Sequence, residues 1–328
     1  MFHTPSLYDG VSSAGSGVRA VAGRLACLSA LLTIVLALAV PGQLLAQVPA
    51  SDLEGREIIM VTGSTGGVGR AVALAFAGPG THIIVHGRNI ERGQAVVEQV
   101  EAVGSTAQFL QADLGSFAQV RGLINTIKRD YDRMDLLIDN AGIGRGQPNA
   151  PREVSADGHE LRFQVNYLSH LLITRELLPL LRAGAPSRVV NVSSAAQRGG
   201  TIHFDDVMLE SPPYAGSTAY GQSKLAQVFM TLDLEEELEG TGVTANAVHP
   251  GGYLDTDMVA ERCAVPGPGC TPTLSPQDGA MFVVNAARSP RSGVYFNTSV
   301  VGEINPQALD PAARRRLREL SMQLVGLN

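Results

Sequence analysis

The chain has 328 residues, of which 45% are hydrophobic, and a formal net charge of −6 at pH 7. This length and composition fit one large α/β domain with an appendage, and an acidic balance without a basic patch argues against a nucleic-acid partner. The three cysteines and seven scattered histidines match neither a disulfide framework nor a metal-binding motif. His82 and His86 bracket a predicted strand, where a four-residue step spans about 13 Å, too far for one ion to bridge. We therefore predict no metal.

Residues 1–50 differ in composition from the rest of the chain. Arg19 and Arg24 precede sixteen uncharged, mostly apolar residues at 25–40, and a Val-Pro-Ala sequence ends at Ala50. These features are typical of a secretory signal peptide, while the run is slightly short for a spanning helix, which needs about 20 residues. Uncleaved, its arginines would hold the N-terminus in the cytoplasm and place the domain outside. The alternatives are a working signal or anchor and a non-native extension from a mis-assigned start codon.

Short apolar runs alternate with amphipathic segments after residue 51. Predicted strands lie at 57–62, 81–86, 107–110, 134–138, 187–192, 243–248 and 293–296, and predicted helices include 116–130 and 215–239. The sequences HIIVH and RVVNV have apolar centres without strict alternation, which indicates a parallel sheet buried on both faces. The pattern predicts an α/β fold over residues 51–328, a single Rossmann-type doubly wound parallel sheet with helices on both faces.

The first strand runs into a glycine-rich turn, VTGSTGGVG at residues 61–69. A strand before and a helix after such a turn favour a dinucleotide, because backbone N–H groups can approach a pyrophosphate at the helix N-terminus. A tight β–α turn without a ligand is the alternative. The glycines fit two spacings, T-G-x-x-x-G-x-G through Gly67 and T-G-x-x-G-x-x-G through Gly66.

The second strand ends in VHGRN. An acidic residue at this point would bind the ribose hydroxyls of NAD(H). This chain has Gly87 followed by Arg88, and a guanidinium pairs with a phosphate through its forked donors. The sequence therefore predicts NADP(H) in preference to NAD(H), with a solvated surface arginine as the alternative.

Eight short motifs carry a resemblance to a known family. They are TGSTGGVG at 62–69, ADL at 112–114, DNAG at 139–142, FQVNYLSHLLIT at 163–174, SRVVNVSS at 187–194, YGQSK at 220–224, VHPG at 248–251 and GVYF at 293–296. Residues 52–328 thus resemble the short-chain dehydrogenases/reductases, in particular the retinol-dehydrogenase-like branch. In that family the T-G-x-x-G-x-x-G spacing belongs to larger members with a C-terminal substrate domain, whereas only 104 residues follow Lys224 here. The resemblance therefore favours the T-G-x-x-x-G-x-G spacing, in which Gly63, Gly67 and Gly69 are the functional glycines.

The resemblance implies hydride transfer between NADP(H) and an alcohol/carbonyl pair. Tyr220 and Lys224 are four residues apart on a predicted helix and share one face. A neighbouring ammonium lowers the pKa of a tyrosine, so Tyr220 can act as general acid or base. The resemblance further implies that Ser194, rather than the adjacent Ser193, binds the substrate oxygen and that Lys224 holds the nicotinamide ribose. It also implies that Asn166 supports a water chain to Lys224. The alternative is that Asn166 is an ordinary buried helix residue.

The same resemblance places a set of residues at the cofactor, from the glycine-rich turn, the ends of later strands and the NAG motif. They are Gly63, Ser64, Thr65, Gly67, Val68, Gly69, Arg88, Asn89, Asp113, Leu114, Asn140, Ala141, Gly142, Tyr220, Lys224, Pro250, Gly251 and Thr256. Asp113 is expected beside the adenine, with a helix-start cap as the alternative.

Three features depart from the family pattern. Asp139 stands where the family usually has asparagine, and this extra carboxylate is unexplained. Tyr220 lies 26 residues after Ser194, a longer spacing than is common, and the insert at 195–219 resembles the long connection of the retinol-dehydrogenase-like branch. Thr256 sits one residue later than in the usual P-G-x-x-x-T, which puts its contact with the nicotinamide amide in doubt.

Residues 251–276 are rich in Gly, Pro and Thr, as is typical of a mobile loop over a substrate. Cys263 and Cys270 flank the sequence AVPGPG, and two unpaired thiols are favoured over a disulfide. The apolar side chains of the loop favour a lipophilic substrate; they are Tyr253, Leu254, Met258, Val259 and Val265.

Compartment and assembly are predicted less directly. NADPH is a cytoplasmic reductant, so we expect a cytoplasmic catalytic domain, with membrane attachment through residues 25–40 and export as the alternatives. The resemblance implies a homodimer through the helices that contain Asn166 and Tyr220, unless the long insert blocks it.

Two other functions compete with the leading one. An NADP(H)-binding sensor or scaffold without turnover is the first, and the intact Ser194, Tyr220 and Lys224 argue against it. A sugar-nucleotide epimerase or dehydratase is the second, and the chain length disfavours it.

Overall fold

The computed structural model describes residues 48–49, 53–252, 254–263 and 271–327. The predicted hydrophobic segment at 25–40 lies outside the described residues, as do Tyr253, Val265 and Cys270. Within the described ranges, no helix is both long enough and apolar enough to cross a membrane.

Eight strands of the described chain form one sheet. They are β1 (Glu57–Val61), β2 (Thr81–Gly87), β3 (Thr106–Gln111), β4 (Leu136–Asp139), β5 (Ser187–Val192), β6 (Val243–His249), β7 (Val294–Asn297) and β8 (Val300–Val301). Their order is β3-β2-β1-β4-β5-β6-β7-β8, and all neighbours are parallel except β7 and β8. The predicted doubly wound sheet is confirmed. The two-residue β8 was not predicted, because so short a strand carries no periodic signal.

Helices cover both faces of this sheet. They are α1 (Gly67–Phe76), α2 (Ile90–Glu101), α3 (Phe117–Asp130), α4 (Leu161–Phe163), α5 (Ser169–Ala183), α6 (Gly216–Glu237), α7 (Asp257–Arg262), α8 (Pro276–Arg288), α9 (Pro306–Leu309) and α10 (Pro311–Leu324). A π-helical turn at Gln164–Leu168 precedes α5, and a 3-10 turn at Ala195–Gly199 follows β5. Polar caps begin several helices; Ser275 and Asp278, for example, form a capping box before α8.

Two apolar cores lie on opposite faces of the sheet. Met60 and Ile84 belong to the core shared with α3, α5 and α6, while Ile59, Val61 and Val85 belong to the core shared with α1, α2 and α8. Successive strand residues point to opposite faces, so a strand covered on both sides needs apolar residues throughout. This explains why the central strands lack polar alternation.

The insert at 195–219 and the C-terminal segment are tied to each other and to α6. Asn305 Nδ2 donates to the Gln197 carbonyl at 3.0 Å, and Arg314 Nε on α10 donates to Asp233 Oδ1 on α6 at 3.2 Å. These contacts hold the insert beside the helix that carries Tyr220.

Candidate active site

A cleft of about 840 Å³ opens at the carboxyl edge of the sheet. It is bounded by the segments that follow β1, β2, β4, β5 and β6, the place where open α/β sheets bind ligands. Its lining includes every predicted site residue except Ser64, Asn89 and Asn166. Those three side chains have structural partners instead: Ser64 Oγ donates to the Val61 carbonyl, the exposed Asn89 caps α2, and Asn166 is buried behind the cleft.

The glycine-rich turn leaves an open cradle at the start of α1. Gly63 has φ +65°, and a Cβ there would lie 2.7 Å from the Ala141 Cα, so a side chain fits neither the backbone conformation nor the space. Gly67 opens the helix with φ +52°, and Gly66 before it provides no side-chain cap. With no side-chain cap at Gly66, the backbone N–H groups of the first helical turn suit a dinucleotide pyrophosphate.

Two exposed arginines lie beside this cradle. The Arg88 side chain is 72% exposed and its Nη1 lies 3.8 Å from Asp113 Oδ2, while Arg92 Nη1 lies 3.0 Å from Asp257 Oδ2 on α7. Both guanidinium groups line the cleft, and their donors suit a ribose 2′-phosphate. Sequence reasoning missed Arg92, although a second arginine four residues after Arg88 was a usable signal.

Buried polar contacts hold the glycine turn against the NAG motif. The Gly63 amide donates to His86 Nδ1 at 3.2 Å, and burial lowers the pKa of His86 to about 4, so this ring is a neutral acceptor. Thr62 Oγ1 accepts from the amides of Asn140 and Ala141 at 2.8 and 2.9 Å. One hydroxyl thus joins the end of β1 to the loop that follows β4.

The three predicted catalytic side chains meet in the middle of the cleft. Ser194 lies close enough to Tyr220 to act on the pKa of its phenol, whereas Ser193 Oγ donates to the Lys224 carbonyl at 2.8 Å and is occupied there. Lys224 Nζ lies 5.8 Å from the centroid of the Tyr220 ring. It donates to the Val192 carbonyl at 2.9 Å and to Gln227 Oε1 at 3.0 Å.

Comparison with known proteins places this geometry in a family. A family model described as short chain dehydrogenase matches residues 57–265. The chain belongs to this family. Human retinol dehydrogenase 13 is 34% identical over 293 residues, which cover 84% of this chain and 86% of the relative. Bovine dehydrogenase/reductase SDR family member 13 is 36% identical over 295 residues, covering 84% and 75%.

Solved structures agree with this assignment. The Pseudomonas aeruginosa RhlG/NADP active-site complex is 25% identical with a TM-score of 0.58, covering 74% of this chain and 93% of that one. A short chain dehydrogenase from Burkholderia cenocepacia in complex with NADP is 26% identical with a TM-score of 0.59, covering 79% and 100%. The protein is therefore an oxidoreductase of alcohol and carbonyl groups that uses a nicotinamide cofactor.

The pKa of Tyr220 in this dehydrogenase runs against the sequence prediction. Burial raises it, while the neighbouring Ser194 hydroxyl and the charge of Arg145 act to lower it. Burial also lowers the pKa of Lys224, to about 7. Sequence reasoning counted the ammonium charge but not the desolvation of both groups, which tertiary packing produces.

Arg145 is a cation that sequence reasoning missed. Its Cζ lies 5.8 Å from the Tyr220 ring centroid, and it lines the cleft beside the NAG motif. An isolated loop arginine carries no motif or periodic signal, so only the fold could place it next to the tyrosine.

Asn166 lies in the π-helical turn and fixes the loop after the NAG motif. Its Oδ1 accepts from the Ile143 amide at 2.8 Å, and its Nδ2 donates to the Ile143 carbonyl at 3.1 Å and to Ser223 Oγ at 2.9 Å. A Cβ on Gly142 would lie 3.1 Å from Asn166 Oδ1 and 3.6 Å from Lys224 Nζ. Asn166 and Lys224 thus approach the same point from behind the cleft.

The segment predicted as a loop over the substrate contains the helix α7. Thr256 precedes this helix and lines the cleft, as do Met258 and Val259. Leu254 is 7% exposed and forms a bridge with Leu274. Residues 254–259 therefore contribute the apolar side chains of Leu254, Met258 and Val259 to the wall of the cleft.

Cys263 at the end of this segment is disulfide-bonded, so the expectation of a free thiol at this position was wrong. The other two cysteines of the chain lie outside the described residues. Sequence spacing alone could not decide this, because a disulfide requires the Cα atoms of its two cysteines to lie within about 7 Å.

Proposed function

We propose that the protein is an NADP(H)-dependent oxidoreductase of lipophilic alcohols and carbonyl compounds, with its catalytic domain at residues 51–328. The observation that carries the proposal is the layout of one cleft. Ser194, Tyr220 and Lys224 lie together in it, and the exposed Arg88 and Arg92 line another part of it. A single dinucleotide can span these two groups from the glycine cradle.

The side chains have distinct tasks in this proposal. A bound nicotinamide supplies or accepts the hydride. Ser194 Oγ hydrogen-bonds the substrate oxygen, and Tyr220 Oη gives a proton to it on reduction or takes one on oxidation. Burial raises the pKa of Tyr220, which favours the protonated phenol that a reduction needs as its proton donor. Lys224 holds the nicotinamide ribose, and Asn166 supports a water chain towards Lys224.

Cofactor preference is tested by titrating NADPH and NADH separately into the full-length protein. NADPH should bind more tightly, and Arg88→Asp should remove about 10- to 100-fold of that advantage, since charge-assisted hydrogen bonds contribute roughly 1.5–3 kcal/mol. Arg291→Asp makes the same charge change at an exposed position outside the cleft and should leave both affinities unchanged. Tighter binding of NADH by the wild type would contradict the assignment.

The apolar part of the cleft supports a lipophilic substrate. The side chains that contribute are Ile143, Leu161, Val165, Leu254, Met258 and Val259. Relatives named retinol dehydrogenases point to the same class of substrate, so aliphatic and isoprenoid aldehydes are the first compounds to assay with NADPH. Each added CH₂ that is buried contributes about 0.8 kcal/mol, so kcat/KM should rise with chain length. A preference for short polar aldehydes would contradict this part of the proposal.

The scaffold alternative is distinguished by Tyr220→Phe. We expect this variant to bind NADPH with the affinity of the wild type but to lose turnover, because only the proton-transfer group is removed. A wild type that binds NADPH tightly and turns over none of the assayed aldehydes or alcohols would favour a sensor or scaffold.

A cytoplasmic catalytic domain is the location that an NADPH-dependent reduction favours. Export is the alternative, and the disulfide at Cys263 is the observation that supports it, since disulfides persist in oxidising compartments. Fractionation of cells with an alkaline wash separates these two outcomes from attachment through residues 25–40.

Light scattering tests the homodimer. The contact of α10 with Asp233 on α6 argues against the dimer face implied by the family.

A further inference from the structure

Asp139 is a buried carboxyl group with only one hydrogen bond. It ends β4, directly before Asn140, and is 0% exposed. Thr174 Oγ1 on α5 donates to Asp139 Oδ2 at 2.8 Å, whereas Oδ1 is buried and has no hydrogen-bond partner among the described residues. An ionised carboxylate in this position would be costly, because nothing replaces most of its lost hydration.

The adjacent strand holds a second buried acceptor without a partner. Asn191 on β5 is the register partner of Asp139, and its Nδ2 donates to Thr231 Oγ1 on α6 at 2.9 Å. Its Oδ1 has no hydrogen-bond partner among the residues described. Neighbouring strands lie about 4.8 Å apart, and the contacts with α5 and α6 show that both side chains point to the same face of the sheet. Two acceptors so placed can bond only if one carries a proton.

We propose that Asp139 is a neutral carboxylic acid whose Oδ1 donates a hydrogen bond to Asn191 Oδ1, and that this bond positions Lys224. One proton satisfies both orphan oxygens. The family's usual asparagine would donate the same bond from its amide, which explains why Asp139 is tolerated there.

A chain of buried hydrogen bonds leads from this pair to the catalytic lysine. Asn191 Nδ2 donates to Thr231 Oγ1, and Thr231 Oγ1 donates to the Gln227 carbonyl at 2.8 Å. Lys224 Nζ donates to Gln227 Oε1 at 3.0 Å, and it also donates to the carbonyl of Val192, the residue after Asn191. Asp139 is thus a positioning residue that acts on Lys224 through β5 and α6. The part that concerns Lys224 rests on the proposed function, whereas the protonation of Asp139 does not.

The surrounding charges agree with a neutral Asp139. Burial raises its pKa to about 8, and the Thr174 bond is the opposing cause. Two buried titratable groups on the packed elements are His170, one turn before Thr174 on α5, and Lys224 on α6, and burial lowers the pKa of each. Arg175, next to Thr174 on α5, is paired with Glu237 at the end of α6. Farther along α6, Asp233 is paired with Arg314.

Urea unfolding of the full-length wild type and of Asp139→Asn across pH provides the test. With a folded-state pKa of about 8 and an unfolded-state value of about 4, folding takes up a proton between these two pH values. The stabilising contribution of this proton is complete below about pH 4 and is lost as the pH rises to about 8. The ratio of the unfolding constant of the wild type to that of Asp139→Asn should therefore rise about tenfold per pH unit from about pH 5 to about 8. Above about pH 8 this ratio should stay constant.

A ratio that stays constant over this window would overturn the proposal. Asp139 would then be ionised, with the Asn191 amide turned so that Nδ2 donates to it. Thr174→Val provides a second measurement that leaves Asp139 in place. Removing the Thr174 hydroxyl penalises the ionised form, so the window should extend to higher pH in this variant; a shift to lower pH would also count against a neutral Asp139.

The Kd of NADPH measures the effect on Lys224 without any need for a known substrate. In the wild type this Kd should rise above about pH 8, because Asp139 ionises and its bond to Asn191 is lost. The Kd of Asp139→Asn should not show this rise, and the Kd of Thr174→Val should show it at higher pH. An unfolding slope of the expected size combined with the same NADPH profile in all three proteins would overturn the positioning of Lys224. Absence of turnover would instead concern the proposed function alone.

Discussion

Replacement of Thr62 by valine removes one hydroxyl from the junction of three elements. Thr62 is fully buried, and its Oγ1 accepts from the amides of Asn140 and Ala141. It also lies 3.0 Å from His170 Nε2. His170 Nδ1 faces the Asn166 carbonyl at 3.0 Å, so Nδ1 carries the proton and Nε2 accepts from the Thr62 hydroxyl.

The cost of Thr62→Val follows from the groups left without a partner. Asn140 N keeps the Ile138 carbonyl at 3.0 Å, but Ala141 N loses its acceptor and His170 Nε2 loses its donor. An unsatisfied buried group costs about 1–3 kcal/mol, so for these two groups we expect the free energy of unfolding to fall by roughly 2–6 kcal/mol. A typical domain has about 5–15 kcal/mol in total. NADPH affinity should fall as well, because Asn140 and Ala141 line the cleft.

Thr62→Ser is the matched control. It keeps the hydroxyl and removes one methyl group, which costs about 1 kcal/mol. Urea unfolding followed by circular dichroism gives the free energies, and nicotinamide fluorescence gives the affinities. If the valine variant were no less stable than the serine variant, the hydroxyl would not be holding the two loops together and the reasoning would be refuted.

Three further predictions follow from buried groups near the cleft. Gly69→Ala should lower stability by about 1–3 kcal/mol, because its Cβ would overlap Asn140 Nδ2 and the Gly63 carbonyl, whereas Gly78→Ala, with nothing within 4 Å, should not; thermal unfolding of both variants checks this. Arg162→Met should cost about 3–5 kcal/mol, since the fully buried Glu160, 3.6 Å away, would lose its cation, and the double variant with Glu160→Gln should recover part of the loss in urea unfolding. Because the pKa of Lys224 is lowered to about 7, the unfolded protein binds more protons between about pH 7 and 10. The stability of the cofactor-free wild type should therefore increase more with rising pH in that window than the stability of Lys224→Met. Thermal unfolding of both proteins across pH checks this.

Local patterns were sufficient for the framework of the fold. The run at 81–86 predicted β2, observed at Thr81–Gly87, because a strand buried on both faces must be apolar at every position. The glycine turn and the Tyr220–Lys224 spacing could be recognised in the sequence for a similar reason. Each depends on backbone conformation or helical periodicity within a few residues, so the sequence alone determined the sheet, the cradle and the candidate catalytic pair.

Tertiary structure decided what depends on residues distant in the chain. The helix α7 lies where composition indicated a loop, and Arg145 approaches Tyr220 although 75 residues separate them in sequence. The pKa directions of Tyr220 and Lys224 come from burial that no local pattern encodes. Asp139 illustrates the difference most clearly. The sequence marked it as an unexplained carboxylate, and only the register of β4 with β5 makes it the cross-strand neighbour of Asn191, whose Oδ1 also lacks a partner among the described residues, because desolvation and hydrogen-bond pairing are properties of the assembled interior.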